Sequence, residues 1–443
     1  MSVPITLVSH QAQTGQIVEV PYENVRLALR SVLQGEQVLG VIVGPTTSQH
    51  LRSLDYMGRE SINAVLELLE ACGDTFTSLT LSVTHRQGDP IPSGFPANFP
   101  RLQSLYIDGT FVNTLNSRTL THIHLRNCTT PNVYSCDDFV RALISWRHTL
   151  KHLEIESYLA AVRINPGDEY ALDEPINLRS LETLKLTDAA VGVRVLLHLV
   201  SVPSTAKVEL VVLTDACPTD ASTVLRVLPT FDPEDIDPEP QSVNLPMLSA
   251  MSHLKIEVDV RFKVTGQSAH TGDFSLELRI NGHFLEHHSP LLSSTMYYLP
   301  SVFPSTSSLK DLTVRGDAHA INQPTWTRAL QACSELRKLT VEDTHVGNLS
   351  PLFGALESEN LVSGLETLEI KGAEYTPQFA STVKHTVGKR LASSVPLVYL
   401  ALHLHTSMWF PMSEASRKQT AANLENELCV LTECSLTPSP IDL

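Results

Sequence analysis

The 443-residue sequence has no C-x-x-C pair, no run of Lys or Arg, no long apolar stretch, and only 6 % aromatic residues with 3 Trp. Each absence excludes something. The seven cysteines (Cys72, Cys128, Cys136, Cys217, Cys333, Cys429, Cys434) are odd in number and widely spaced, which argues against a disulfide framework or a zinc knuckle and for reduced, mostly buried thiols. A formal net charge of −16 without a basic cluster leaves nucleic acid and anionic membrane without the footprint they need. No segment approaches the roughly 20 consecutive apolar residues of a helical membrane span. Met1 to Ser9 lacks the basic region and apolar core of a secretory signal, so a cytoplasmic or nuclear location is expected. The sequons at Asn127 and Asn348 are then chance matches.

Catalytic signatures are missing too. There is no G-x-S-x-G elbow and no G-x-x-x-x-G-K-(S/T) or G-x-G-x-x-G phosphate loop, so no cofactor and no enzymatic activity are expected. Asp137-Asp138 falls at a helix start, where the helix N-terminus accounts for the carboxylates without catalysis.

What is present is repetition. Leu336-Arg337-Lys338-Leu339-Thr340-Val341 carries an L-x-x-L-x-(L/I/V) phrase that recurs from Leu309, Leu365 and Leu397, at spacings of 27, 29 and 32 residues. Earlier copies begin at Leu51, Phe76, Leu102, Leu120, Leu150 and Leu181. Such intervals fit one strand plus one helix, and the spacing predicts helices over Ser61 to Cys72, Asp137 to Trp146, Val193 to Leu199, Trp326 to Cys333 and Leu349 to Leu356. The copy at Leu120 comes only 18 residues after that at Leu102, which leaves no room for a helix, and Gly88 to Pro100 and Pro166-Gly167 read as loops. Val38 to Val43 and Val208 to Val212 read as further strands. Ile256 to Phe262 and Phe274 to Ile280 alternate with period two around Gly266 to Gly272, which predicts a pair of longer strands.

The expected architecture is therefore α/β, a curved leucine-rich repeat solenoid with parallel strands on the concave side and helices or loops on the convex side. One repeat cannot offset its own ordering entropy, but stacked repeats can, since each buried Leu or Ile contributes roughly 1.5–3 kcal/mol. Residues 1–36 read as an N-terminal cap or tail, with helical spacing over Val25 to Leu33, and 37–405 as the solenoid. Within it, 229–246 packs five acidic residues and five prolines into eighteen positions and is expected to be flexible. Residues 406–443 form a C-terminal helical cap and tail, in which Leu424, Leu428 and Leu431 of an Ala415 to Leu431 helix cover the last repeat.

In each phrase the apolar first, fourth and sixth positions point inward. The outward positions form one surface: Gln103, Ser104 and Tyr106; Thr121, His122 and His124; Lys151, His152 and Glu154; Glu182, Thr183 and Lys185; Lys310, Asp311 and Thr313; Arg337, Lys338 and Thr340; Glu366, Thr367 and Glu369; Val398, Tyr399 and Ala401. From these, Tyr106, His122, His124, His152, Lys185, Arg337, Lys338, Glu369 and Tyr399 are the candidate contacts of a protein partner on the concave face, because Tyr and Arg favour such interfaces. The competing reading is a merely solvated coil face. His122, His124 and His152 share a face on neighbouring strands about 5 Å apart, so a metal site or pH-responsive patch competes with simple solvation. His403 and His405 make a similar pair without a nearby acidic or thiol partner in sequence, and His287-His288 read as loop residues.

Over roughly residues 38 to 405 these phrases resemble the leucine-rich repeat superfamily of the ribonuclease-inhibitor-like type. Phe99-Pro100-Arg101-Leu102-Gln103-Ser104-Leu105, Leu120 to Cys128 and Ser204 to Leu210 resemble the irregular repeat regions of F-box proteins from mushroom-forming fungi (basidiomycetes). Cys128 stands in the slot where the family's template L-x-x-L-x-L-x-x-(N/C) has a buried side chain. The resemblance implies substrate recognition in an F-box-like ubiquitin-ligase adaptor, with Cullin-RING ligase components as possible partners. Met1 to Gly40 contains no L-P-x-E-(L/I/V) opening of an F-box, so no residue here carries that link. The alternatives are a stand-alone leucine-rich repeat scaffold and a metal-dependent enzyme.

The inward and outward assignment has a direct consequence. Leu339→Ala should cost roughly 2–5 kcal/mol by leaving a core cavity, and Lys338→Ala under about 0.5 kcal/mol. Denaturant titration of the two variants measures the difference, and equal costs would reject the assignment.

Overall fold

The computed structural model describes residues 6–9, 38–42, 53–58, 76–83, 99–109, 117–128, 134–159, 162–163, 174–229, 231, 244–268, 271–281, 288–303, 308–358, 361–406 and 414–439. The chain divides into two compact units, Met1–Ala206 and Lys207–Leu443. Both are mixed α/β, each built on a mostly parallel sheet with helices.

In the first unit, β1 (Thr6–Ser9) and β2 (Val38–Ile42) pair antiparallel, apart from the main sheet. That sheet takes one strand from each phrase, starting at its third residue: β3 (Ser53–Gly58), β4 (Ser78–Val83), β5 (Ser104–Asp108) and β6 (His122–Arg126). Next come β7 (Tyr134–Ser135), α1 (Cys136–Trp146), β8 (His152–Glu156), β9 (Val162–Arg163), β10 (Ile176–Asn177), β11 (Thr183–Ala189), α2 (Ala190–Leu199) and β12 (Val200–Ser201). Strands β3, β4, β5, β6, β8 and β11 lie side by side in chain order, all parallel. Helix α1 buries Cys136, Phe139, Val140, Leu143 and Trp146, the stripe that 3.6-residue periodicity brings to one face. The residue pairs β7/β9 and β10/β12 form two short parallel bridges.

The second unit contains β13 (Lys207–Thr214), α3 (Ser222–Leu225), β14 (His253–Val258), β15 (Phe262–Gln267), β16 (Phe274–Ile280), α4 (His288–Val302), β17 (Asp311–Gly316), α5 (Gln323–Gln331) and β18 (Lys338–Gly347). It continues with α6 (Ser350–Leu356), β19 (Thr367–Tyr375), α7 (Pro377–Ala392), β20 (Tyr399–Thr406), α8 (Glu414–Leu428) and β21 (Glu433–Ser439). Spatial order is β13-β16-β15-β14-β17-β18-β19-β20-β21, and β15 alone runs antiparallel to its neighbours. Helices α4 to α8 pack each against the next, with α7 also on β19 and α8 also on β21.

Register explains why the phrase works. Its fourth residues align as Leu105, Ile123, Leu153 and Leu184 in one unit and as Leu254, Leu312, Leu339, Leu368 and Leu400 in the other. Sixth residues align beside them as Ile107, Leu125, Ile155 and Leu186, and as Ile256, Val314, Val341, Ile370 and Leu402. All are buried. The carbonyl of each second residue accepts hydrogen bonds from the second and third N–H of the next copy, as Gln103 does from Thr121 and His122 and Arg337 from Glu366 and Thr367.

The eighth position turns the chain out of the strand. Gly109, Asn127, Ser157, Gly316 and Gly372 occupy it with positive φ, and the N–H groups of Gly109, Asn127 and Ser157 donate to the seventh-position carbonyls of Arg126, Glu156 and Thr187 on the next copy. In β11 and β18 the same position is an aspartate, Asp188 or Asp343, which replaces the left-handed turn with a buried carboxylate.

Several expectations need correction. The period-two segment holds three strands: the turn falls at Asp259 to Arg261, and Gly266 lies inside β15, because Met251-Ser-His-Leu254-Lys-Ile256 is itself a copy of the phrase whose leading Met hid it. The C-terminal helix is followed by β21, paired parallel to β20. Its phrase, Leu431-Thr-Glu-Cys434-Ser-Leu436, has Cys for the second Leu. Leu424 and Leu428 are buried as anticipated, whereas half-buried Leu431 starts that further copy. His288 opens α4 instead of lying in a loop; Pro290 and Pro300 masked the helix. Helix α7 also went unread, although Thr376-Pro377 is a legible start whose Thr side chain accepts from Phe379 N–H at 3.0 Å. The helices over Val25 to Leu33 and Ser61 to Cys72, the loop at Pro166-Gly167, and most of Gly88 to Pro100 and of 229–246 lie outside the described residues.

Two glycines separate strain from space. A Cβ on Gly372 (φ +79°) would lie 2.0 Å from the Asp343 carbonyl oxygen, whereas one on helical Gly388 meets nothing within 4 Å. Gly372→Ala should destabilise by more than about 1 kcal/mol and Gly388→Ala should stabilise by about 0.5–1 kcal/mol, read as opposite shifts of the urea midpoint.

Candidate functional site

The phrase's third, fifth and seventh residues alternate with the buried ones, so register assembles them into rows on the other face of the sheet. Across β5, β6, β8 and β11 the third-position row is Ser104, His122, His152 and Thr183; the fifth-position row is Tyr106, His124, Glu154 and Lys185. Five candidate contacts thus lie in two adjacent rows of the first unit. The Tyr106 ring meets that of His124 edge-on at 4.7 Å, and the rings of His122 and His152 stack at 4.4 Å with 27° between planes. Lys185 Nζ lies 2.5 Å from Glu154 Oε1, whose partner oxygen is 3.7 Å from His124 Nδ1. Arg126 pairs with Glu156, and Lys151 with Glu182.

Burial, reinforced by the neighbouring His152 and opposed by Glu182, holds the His122 pKa below the usual histidine range. Burial does the same for His124 against the pull of Glu154 and Glu156, and His124 Nε2 is itself buried without a hydrogen-bond partner. Both effects favour the neutral imidazole.

The remaining candidates belong to the second unit. Across β17, β18, β19 and β20 the third-position row is Asp311, Lys338, Thr367 and Tyr399. Glu369 lies 2.9 Å from Lys371 and 3.8 Å from Lys338. Burial alone would raise its pKa, but the Lys371 hydrogen bond and the charges of Lys371, Lys338 and His403 outweigh that, so its carboxyl sits below the ordinary range. Arg337 approaches Glu366 at 3.9 Å. Two outward assignments are corrected: Thr340 and Ala401 are 7 % and 5 % exposed. Both are small residues directly flanking Glu369 in register, in a row where longer side chains cover them.

A second cluster escaped the sequence reading because its members are scattered over three elements. Asp343 Oδ1 accepts from His345 N–H at 3.1 Å, and its Oδ2 from His319 N–H and Gly347 N–H, both at 3.2 Å. His319 Nδ1 lies 3.0 Å from the same carboxylate. Asp317 holds the Ser289 hydroxyl, His345 Nδ1 and, at 3.3 Å, the Thr344 hydroxyl. Asp188 plays the matching part in the first unit, accepting from Tyr158 and Leu159 N–H at 2.7 Å each. Asp343 and Asp188 satisfy backbone N–H groups where the chain leaves the repeat's strand, whereas Asp317 takes side-chain donors. The only sequence trace is an Asp at the eighth or ninth phrase position.

Among the described residues no group of three His, Cys, Asp or Glu side chains is placed to hold a metal ion. The histidine row stacks ring on ring instead of converging its nitrogens. Cys128, Cys136 and Cys333 are buried, Cys217 is half-buried and Cys429 exposed; burial pushes the Cys333 thiol pKa up to about 12. Among the described residues no helix is long and apolar enough to cross a membrane.

Fold and surface together define a class: an α/β protein of two units, each with a mostly parallel sheet carrying ordered polar rows on its solvent side. Compared with known proteins, the chain matches no family model, and no curated relative reaches significant similarity.

Burial would raise the Asp317 pKa, but the hydrogen bond from Ser289 and the charge and hydrogen bond of His345 outweigh it and hold it below its ordinary value. A depressed carboxylate contributes stability above the unfolded value of about 4 and loses it as pH falls through the folded value. Asp317→Asn should therefore be less stable than the parent at pH 6, with the gap closing toward pH 3. Urea midpoints across that range test it; a gap independent of pH would contradict it.

Proposed function

We propose that the chain is a non-catalytic protein-interaction module of the leucine-rich repeat kind, whose solvent-facing sheet rows receive a polypeptide partner. The observation that carries this reading is the register: copies of one phrase align Tyr106, His122, His124, His152 and Lys185 in one unit, and Lys338 and Tyr399 in the other, along parallel strands. Rows of this kind suit an extended ligand, because neighbouring strands repeat about every 4.8 Å. Their ion pairs are exposed and contribute only about 0–1 kcal/mol each, so they can be exchanged for pairs with a partner at little cost.

The specific form we propose is substrate recognition within an F-box-like ubiquitin-ligase adaptor. It is supported by the phrases at Phe99 to Leu105, Leu120 to Cys128 and Ser204 to Leu210. Without a ligase link, the same surface serves a stand-alone scaffold.

Affinity capture from cells with the parent chain and a Tyr106→Ala/Arg337→Glu double variant tests both levels. The expected result is a protein retained by the parent and lost by the variant, with Cullin-ligase components recovered alongside it. A partner without those components would select the scaffold form. Equal capture by both chains would reject the sheet face as the binding surface.

A further inference from the structure

The first unit's solvent-facing rows hold charges of both signs in near balance. Asp108, Glu154, Glu156 and Glu182 face Arg126, Lys151 and Lys185 across β5, β6, β8 and β11, and His122, His124 and His152 lie among them. With neutral imidazoles the carboxylates exceed the cations by one. With three protons bound, the cations exceed the carboxylates by two. Tyr106 is the one other titratable side chain on these rows.

We propose that this face is a proton-gated docking surface for an acidic peptide segment, engaged when the three histidines are protonated and released when they are neutral. The inference rests on the protein-binding reading above and adds the partner's chemistry and its control. Geometry supplies the gate. His122 and His152 are stacked at 4.4 Å, so a second positive charge there is opposed unless an anion lies against the pair. Their one nearby carboxylate, Glu182, is already engaged by Lys151 at 2.7 Å and is 3.7 Å from His152. His124 shares Glu154 with Lys185 in the same way. A ligand carboxylate would supply the missing counter-charge.

Burial, which holds His122 and His124 below the usual range, gives the direction. In the free protein their protonation is resisted as pH falls below about 6.5, and a bound anion relieves that resistance, so binding and proton uptake must strengthen each other. The chain's overall charge of −16 disfavours an acidic ligand at neutral pH, which sharpens the contrast.

The test uses the full chain and a fluorescein-labelled Glu-rich decapeptide, with anisotropy titrations at low ionic strength at pH 5.5 and 7.5. The expected result is affinity at least tenfold tighter at pH 5.5, with that gain lost in His122→Gln/His124→Gln/His152→Gln. Circular dichroism at both pH values establishes that the variant is folded; if it is not, His152→Gln alone should reduce the gain. Glu182→Gln should tighten binding at both pH values. No peptide binding at pH 5.5, pH-independent affinity, or a pH gain that survives removal of the histidines would each overturn the proposal. Capture of a partner at neutral pH through Tyr106 and Arg337, together with any of those results, would remove this inference and leave the broader reading standing.

Discussion

The structure depends on in-register stacking of aliphatic side chains from one copy of a six-residue phrase onto the next. Leu339 rests between Leu312 and Leu368, and Val341 between Val314 and Ile370. Because side chains alternate along a strand, fixing this inner ladder also fixes everything on the opposite face, and a one-residue slip would bury Lys338 and expose Leu339. The solvent-facing surface is thus a by-product of the core: polar rows line up because the leucines beneath them do.

That constraint is relaxed at the strand ends, where the two units use two chemical solutions to one problem. Turning out of a strand leaves N–H groups needing acceptors. Five copies use a left-handed Gly, Asn or Ser, and at Gly109, Asn127 and Ser157 its N–H donates to the neighbouring strand. At Asp188 and Asp343 a buried carboxylate takes the N–H groups instead, and Asp343 gathers His319 and His345 around it. These carboxylates also join segments far apart in sequence, Asp188 to Tyr158 and Leu159 and Asp343 to His319, which a glycine turn cannot do through a side chain.

Much of the repeat frame was legible from residues alone. The phrases at Leu102, Leu120, Leu150, Leu181, Leu309, Leu336, Leu365 and Leu397 all became strands, since three aliphatics at positions one, four and six leave few other ways to bury them. The misses have physical reasons too. Met251 and Cys434 stand for leucine without changing the strand's need to be buried, so a search for Leu passes over them. Pro290 and Pro300 sit near the two ends of α4, where a missing N–H is tolerated or a turn is ending. The insertion of β15 between β14 and β16 departs from simple repetition; alternation announced strands there, but their pairing partners are set by contacts remote in sequence.

By itself, the sequence determined the period, the inward residues, the strand positions and most of the outward rows, because these follow from local alternation and from the entropic need to bury leucine. Only tertiary structure decided the order of strands around β15, the stacking of His122 on His152, the burial of Thr340 and Ala401, and the meeting of Ser289, Asp317 and His345. Each depends on which copy neighbours which, and on the size of the side chains beside it. Those are distances through space that a linear pattern does not encode.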